Sequence, residues 1–273
     1  MKFKKYAALV ATVSASALFA QEVVTPAAVA PEAPVTVVEE VETPLMEEAN
    51  TVAASAGVDV ASAAVYRDGC KLSDSLVIQP NFSVGFSAFD AFPLELGVWA
   101  NYATDAKDDG ATQNHCFTEV DLSIGTAFDL GNDTELSVSL VTWQYPNMVD
   151  WNGEEVIIVS IAKTIGLFEV GSDFEKMLSG DCEYNFDMYP YVSVLQDVTE
   201  NVSVGLKACC NYSMTPSWAG ADGWTAYTLT ASVSAFNFTA YATYYGQMND
   251  KFYTDEMYDD VNSVFGINYS VDL

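Results

Sequence analysis

The stretch Val264 to Leu273, VFGINYSVDL, places Phe265, Ile267, Tyr269, Val271 and Leu273 at every second position, with Gly266, Asn268, Ser270 and Asp272 between them. A strict period of two puts the apolar side chains on one face of a pleated strand and the polar ones on the other. An apolar face of that length needs a cover, either a second packed sheet or lipid. The rest of the chain decides between them.

The same texture repeats from Gly57 onward. Twelve candidate strands are read at 58–67, 76–87, 92–103, 116–130, 134–145, 155–164, 167–176, 184–197, 201–212, 224–235, 236–247 and 262–273. The connections alternate. Tight turns such as 131–133, 165–166 and 198–200 follow the even-numbered strands, and long polar loops such as TDAKDDGATQNHC (104–116) and MNDKFYTDEMYDDV (248–261) follow the odd ones. Short turns on one rim and long loops on the other belong to outer-membrane barrels, and an even strand number leaves both chain ends on the short-turn side.

The faces agree with a barrel. One parity is apolar, as in Leu94, Leu96, Val98, Ala100 and Tyr102 or Val202, Val204, Leu206 and Ala208; the other is small, polar or charged, as in Gln79, Asn81, Ser83 and Gly85 or Ser203, Gly205 and Lys207. A soluble sandwich alternates in the same way. The aromatics discriminate, because Tyr and Trp favour the two lipid–water interfaces whereas a sandwich core holds its rings mid-strand. Tyr66, Tyr102, Tyr184, Tyr212, Tyr227, Tyr244 and Phe265 fall at the long-loop ends on the apolar parity, and Phe86, Phe92, Phe128, Phe168 and Phe236 at the short-turn ends. The expected fold is therefore all-β, a transmembrane antiparallel up-and-down barrel. Pro80 and Pro190 stand against it, since each removes a ladder donor inside a strand, and a bulge or a shifted boundary is expected there. EVIIVSIAKT, 155–164, is apolar at both parities, which leaves its facing open.

Ahead of the barrel the chain is different. Residues 1–20 combine Lys2, Lys4 and Lys5 with a moderately apolar run and Ala20 before Gln21, the pattern of a cleavable secretory signal. Residues 21–56 are rich in Ala, Pro, Val and Glu, and are read as a disordered acidic periplasmic linker. The barrel domain is taken as 57–273. The formal net charge of −28 argues against nucleic acid, whose phosphates require Lys and Arg.

The run Tyr66-Arg67-Asp68-Gly69, Val77-Ile78-Gln79-Pro80, Gly97-Val98-Trp99-Ala100-Asn101 and Glu119-Val120-Asp121-Leu122 resembles a group of exported bacterial outer-membrane porin-like barrels. The likeness covers the first third of the barrel, and Asp68 stands between Arg67 and Gly69 where those proteins pair Arg with Gly. It implies fold and location, and brings with it neither a substrate nor a catalytic set.

Function is read from the inward parity. Arg67, Gln79, Asn81, Glu95, Asn101, Glu119, Asp121, Glu169, Asp173, Asp187 and Lys207 are the expected pore-lining residues, and Glu175 shares their face. Acids outnumber bases among them, which suits a passive channel for small hydrophilic solutes, cationic or neutral. Glu95 is expected beside Glu119 or Asp121, and Lys207 opposite Asp187. The alternatives are a non-conducting structural or adhesive barrel with binding loops, and an outer-membrane lipid hydrolase built on His115 with Asn114 as neighbour. Of the cysteines, Cys70 and Cys116 on neighbouring loops are the preferred disulfide, while Cys209 and Cys210 point to opposite faces. No metal or cofactor is implied. The expected partners are outer-membrane lipids, lipopolysaccharide and small solutes in a Gram-negative bacterium; oligomeric state is not legible.

Overall fold

The computed structural model describes residues 52–66, 71–88, 92–107, 110–149, 153–179, 186–214, 223–248 and 263–273. The first 51 residues lie outside these, and with them the expected signal and most of the expected linker.

Twelve strands close into one antiparallel barrel. They are β1 (Val52–Ala61), β4 (Val77–Ala88), β5 (Phe92–Ala103), β6 (Cys116–Gly131), β7 (Thr134–Gln144), β8 (Glu154–Ile165), β9 (Phe168–Met177), β10 (Phe186–Thr199), β11 (Val202–Ser213), β12 (Gly223–Ala235), β13 (Phe238–Gln247) and β14 (Ser263–Asp272). Each pairs with its sequence neighbour, and β1 closes the ring against β14, so the topology is up-and-down. Two short strands, β2 (Ala64–Val65) and β3 (Lys71–Ser73), pair with each other outside the ring. Closure leaves no unpaired sheet edge, a requirement for strands in lipid.

Side-chain parity follows the expected faces. The outer surface carries Phe82, Leu96, Leu122, Ile124, Leu140, Leu206, Leu229, Phe265 and Ile267, among which Leu206 is 60% exposed and Phe265 62%. In water such a belt would be a large unfavourable apolar surface; against hydrocarbon it is at no disadvantage. Two edge-to-face aromatic pairs, Tyr102–Phe117 and Tyr212–Trp224, mark the long-loop end of the belt, and Phe238–Tyr269 lies at the short-turn end. Strand β8 resolves its ambiguity by register: Val156 and Ile158 face inward opposite Met177 and Glu175, while Ile157, Val159 and Ile161 face out. At the β6–β7 turn Asn132 and Asp133 both have positive φ, 53° and 56°, the type I′ geometry that matches strand twist.

Three expectations are corrected. The first strand runs from Val52 to Ala61 instead of 58–67. The segment 62–66, taken as its continuation, instead leaves the wall; Ala63, Ala64, Val65 and Leu72 are buried against Val77, Ala103, Cys116, Tyr245 and Val264 at the long-loop end of the interior. Tyr66 consequently belongs to the lumen and not to the outer girdle.

The prolines sit in unshifted strands, with no bulge at either. Pairing of β4 with β5 skips from Ile78–Tyr102 to Asn81–Trp99, and pairing of β10 with β11 skips from Met188–Tyr212 to Tyr191–Cys209, while the register on both sides stays the same. Each proline thus deletes one rung and nothing else. On the lumen side the first gap is spanned by Gln79 Nε2 donating to Asn101 Oδ1 at 2.8 Å. At the second, Cys209 Sγ donates to the Cys210 carbonyl at 3.5 Å.

Bulges do occur, one strand further on. Thr118 is the extra residue between Asn101 and Tyr102 of β5 and their partners in β6, and Thr225 holds the same place between Asn211 and Tyr212 of β11 and β12. Asn101 Nδ2 donates to Thr118 Oγ1 at 2.7 Å, and Thr225 Oγ1 donates to Asn211 Oδ1 at 2.5 Å. A proline, an Asn-Tyr pair, a bulged threonine and an edge-to-face ring pair therefore recur half the circumference apart.

Candidate functional site

The long-loop half of the lumen contains the densest chemistry. The β2–β3 hairpin folds over it, and segments 104–107, 110–115 and 145–149 join the same roof: Thr112 N donates to Asn147 O at 2.8 Å, Val149 N to Gly110 O at 3.0 Å, and Ala106, Ala111 and Met148 pack with the hairpin. Tyr66 reaches from the hairpin across to β6 and β7. Its hydroxyl donates to Glu119 Oε2 at 3.0 Å, and its ring lies 6.4 Å from that of Trp143. Burial, followed by the neighbouring Glu119 charge, pushes the Tyr66 hydroxyl well above its ordinary pKa, so it remains a donor to that carboxylate.

Beneath this roof Asp121 occupies the middle of a row. Its cross-strand partners are Trp99 on β5 and Trp143 on β7, and Trp143 in turn pairs with Glu154 on β8. Glu119 is two residues along on the same face of β6. Glu119 is 1% exposed and Asp121 6%. The Asp121 Oδ1 atom has no hydrogen-bond partner. On the facing wall Tyr241 donates to Asp59 Oδ2 at 2.7 Å. Ala63 to Tyr66, Leu72, Gln79, the two indoles, the two β6 acids, Tyr241, Tyr245 and Val264 line one pocket.

The other inward residues are spread around the barrel. Asn81 lies opposite Gly57, and Gln79 is buried beside Asn101. Glu95 pairs with Gly125, some distance along β6 from Glu119 and Asp121, which corrects the expected contact. Lys207 pairs with Ser193 and lies 4.0 Å from the centroid of the Tyr191 ring, whereas Asp187 pairs with Ser213 and Glu175; the expected Lys207–Asp187 meeting does not occur. Tyr191 also donates to Glu169 Oε1 at 3.1 Å. Asp173 lies opposite Ser160 and Tyr189. Lys207 is the one basic side chain that the described strands turn inward.

Arg67, Cys70, Cys182 and Tyr184 fall outside the described residues, as do the side chain of Phe92 and the loop acids of 249–262. The Cys70–Cys116 pairing is therefore not observable; Cys116 itself is buried and its Sγ donates to Gln113 O at 3.0 Å. His115 is exposed in a left-handed conformation, φ 55°, and the Asn114 Oδ1 accepts from Lys107 N at 2.8 Å. The residues that the sequence reading missed are Trp99, Trp143, Tyr241 and Tyr245. Trp99 shares the face of Glu95 and Asn101 within β5, whereas Trp143, Tyr241 and Tyr245 lie on strands that held no expected pore-lining residue.

A closed ring of twelve antiparallel strands with an apolar outer belt and a polar interior defines a transmembrane β-barrel. No family model matches the sequence, and no curated protein does. Among solved structures the chain is similar to the COG4313 outer membrane channel from Pseudomonas putida F1, at 10% identity and a TM-score of 0.48 over 86% of this chain and 100% of that one. It is similar also to the KdgM porin, at 8% identity and 0.44 over 80% and 99%, and to OmpF of Salmonella typhi, at 6% and 0.38 over 82% and 97%.

Proposed function

We propose that the protein is a porin-like channel of a bacterial outer membrane that passes small hydrophilic solutes, with preference for cationic or neutral ones. One observation carries this reading: Asp59, Glu95, Glu119, Asp121, Glu169, Asp173, Glu175 and Asp187 face the lumen, and Lys207 is the one base that the described strands turn toward them. A low-dielectric wall focuses the field of such charges into the interior, raising the local concentration of cations and lowering that of anions. Planar-bilayer recording of the refolded protein tests it. Under a KCl gradient the reversal potential is expected to report cation preference, and Glu119→Gln with Asp121→Asn is expected to reduce it; anion preference, or no change in the double variant, contradicts the acidic-lumen account.

One feature favours a non-conducting barrel instead. The β2–β3 hairpin together with Ala106, Ala111 and Met148 forms an apolar cluster over the long-loop end. If that roof seals the lumen, the protein gives no current steps while still migrating as a heat-modifiable barrel.

A further inference from the structure

We propose that the pocket under the hairpin is a binding station for a small organic ammonium ion, an inference that rests on the acidic lumen of the channel reading and names one solute class for it. The walls have the two components such an ion needs. Trp99 and Trp143 flank Asp121 from either side in adjacent strands, and Tyr66 and Tyr245 line the same pocket. Aromatic faces attract a cation through their quadrupole, most strongly where water is excluded, and Trp is the best of them. Glu119 and Asp121 supply two carboxyl groups, whose ionised form a bound cation favours.

None of the pocket's described lining residues is Lys or Arg. Tyr66 supplies a hydrogen bond to Glu119 but no charge, and Asp121, 6% exposed, keeps its Oδ1 unpartnered on the lumen side of β6. A buried carboxylate oxygen left without a donor is costly, and a cation that enters the pocket relieves the cost. Lys207, six strands' breadth of wall from β5 on the ring, is already held over Tyr191 and does not line the pocket. A bare metal ion would use the carboxylates and leave the indoles without a role; an alkylated ammonium uses both. A neutral sugar would stack on the rings but would leave the charges uncompensated.

Isothermal titration calorimetry of the detergent-refolded protein with choline is the test, with glucose as the neutral control. Choline is expected to bind, Trp143→Ala and Asp121→Asn each to weaken it roughly tenfold, and glucose to give no heat. Trp143→Phe, which keeps a ring, is expected to retain most of the affinity, so the comparison survives if Trp143→Ala does not refold. No choline binding, unchanged binding in Asp121→Asn or in a folded Trp143→Ala, or binding of glucose in its place overturns the proposal. The readout needs no current: choline binding to a barrel that is silent in bilayers removes the channel and keeps the station, while a cation-preferring channel that ignores choline keeps the channel and removes the station.

Discussion

Three glycines face tyrosines across strand pairs: Gly171 with Tyr191, Gly246 with Tyr227 and Gly266 with Tyr241. In each case a Cβ on the glycine would run into the partner ring. The ring thus covers the bare backbone, and the missing side chain is what allows it to lie flat. Gly171 is the least forgiving, because an added Cβ would also stand 2.6 Å from the main-chain oxygen of Ile161. Gly171→Ala is therefore expected to destabilise the barrel by about 1–3 kcal/mol, read as an earlier urea unfolding midpoint. It is also expected to lift Tyr191 off Glu169 and Lys207. Gly85, whose Cβ would meet only ordinary contacts at 3.8 Å or more, is the control and should tolerate alanine with a smaller loss.

Among the elements, the β2–β3 hairpin stands out by filling the long-loop end of the interior. Replacing residues 63–73 by a short Gly-Ser link removes Val65, Tyr66 and Leu72 from the lumen. The conductance of that variant is expected to rise at least twofold over the parent in the same bilayer, and an unchanged value would mean that the hairpin does not narrow the path. Tyr66→Phe is milder: it keeps the ring against Trp143 and deletes the donor to Glu119, at a cost of about 1–3 kcal/mol for the buried acceptor left behind. The sequence announced the wall well, since parity persists along most strands and the turns after β6, β8, β10 and β12 are two residues long and carry Gly, Asn, Asp or Glu. It did not announce the hairpin. Val58, Val60, Ala64 and Tyr66 share one parity with only Ser62 between them, so the apolar row runs past the point where the chain leaves the wall, and parity says which face a residue occupies without saying where the chain departs from the sheet. The start of β1 was hidden for the opposite reason, because Ala53, Ala54, Ser55 and Ala56 carry little contrast between faces. The aromatic pocket was obscured in turn by treating inward polarity as the only signal for a lumen, which passed over Trp99 and Trp143 on the same parity as the acids.

Across the whole molecule the proposed channel draws its selectivity from the imbalance of inward charge, and Lys207 is its one described counterweight. Lys207→Gln is expected to increase cation preference in the reversal-potential measurement without closing the channel; a shift toward anions would contradict the proposed field. The wall itself is not uniform. Pro80 breaks one rung between β4 and β5, and Pro190 one between β10 and β11, so the two weak rungs lie on opposite sides of the ring. Mechanically the barrel is two six-stranded shells joined along two softened seams. A tube built that way flattens more readily along one axis than along the others, and the pocket, walled by β5, β6 and β7 on one shell and by Gln79, Tyr241, Tyr245 and Val264 on the other, changes width as it does so.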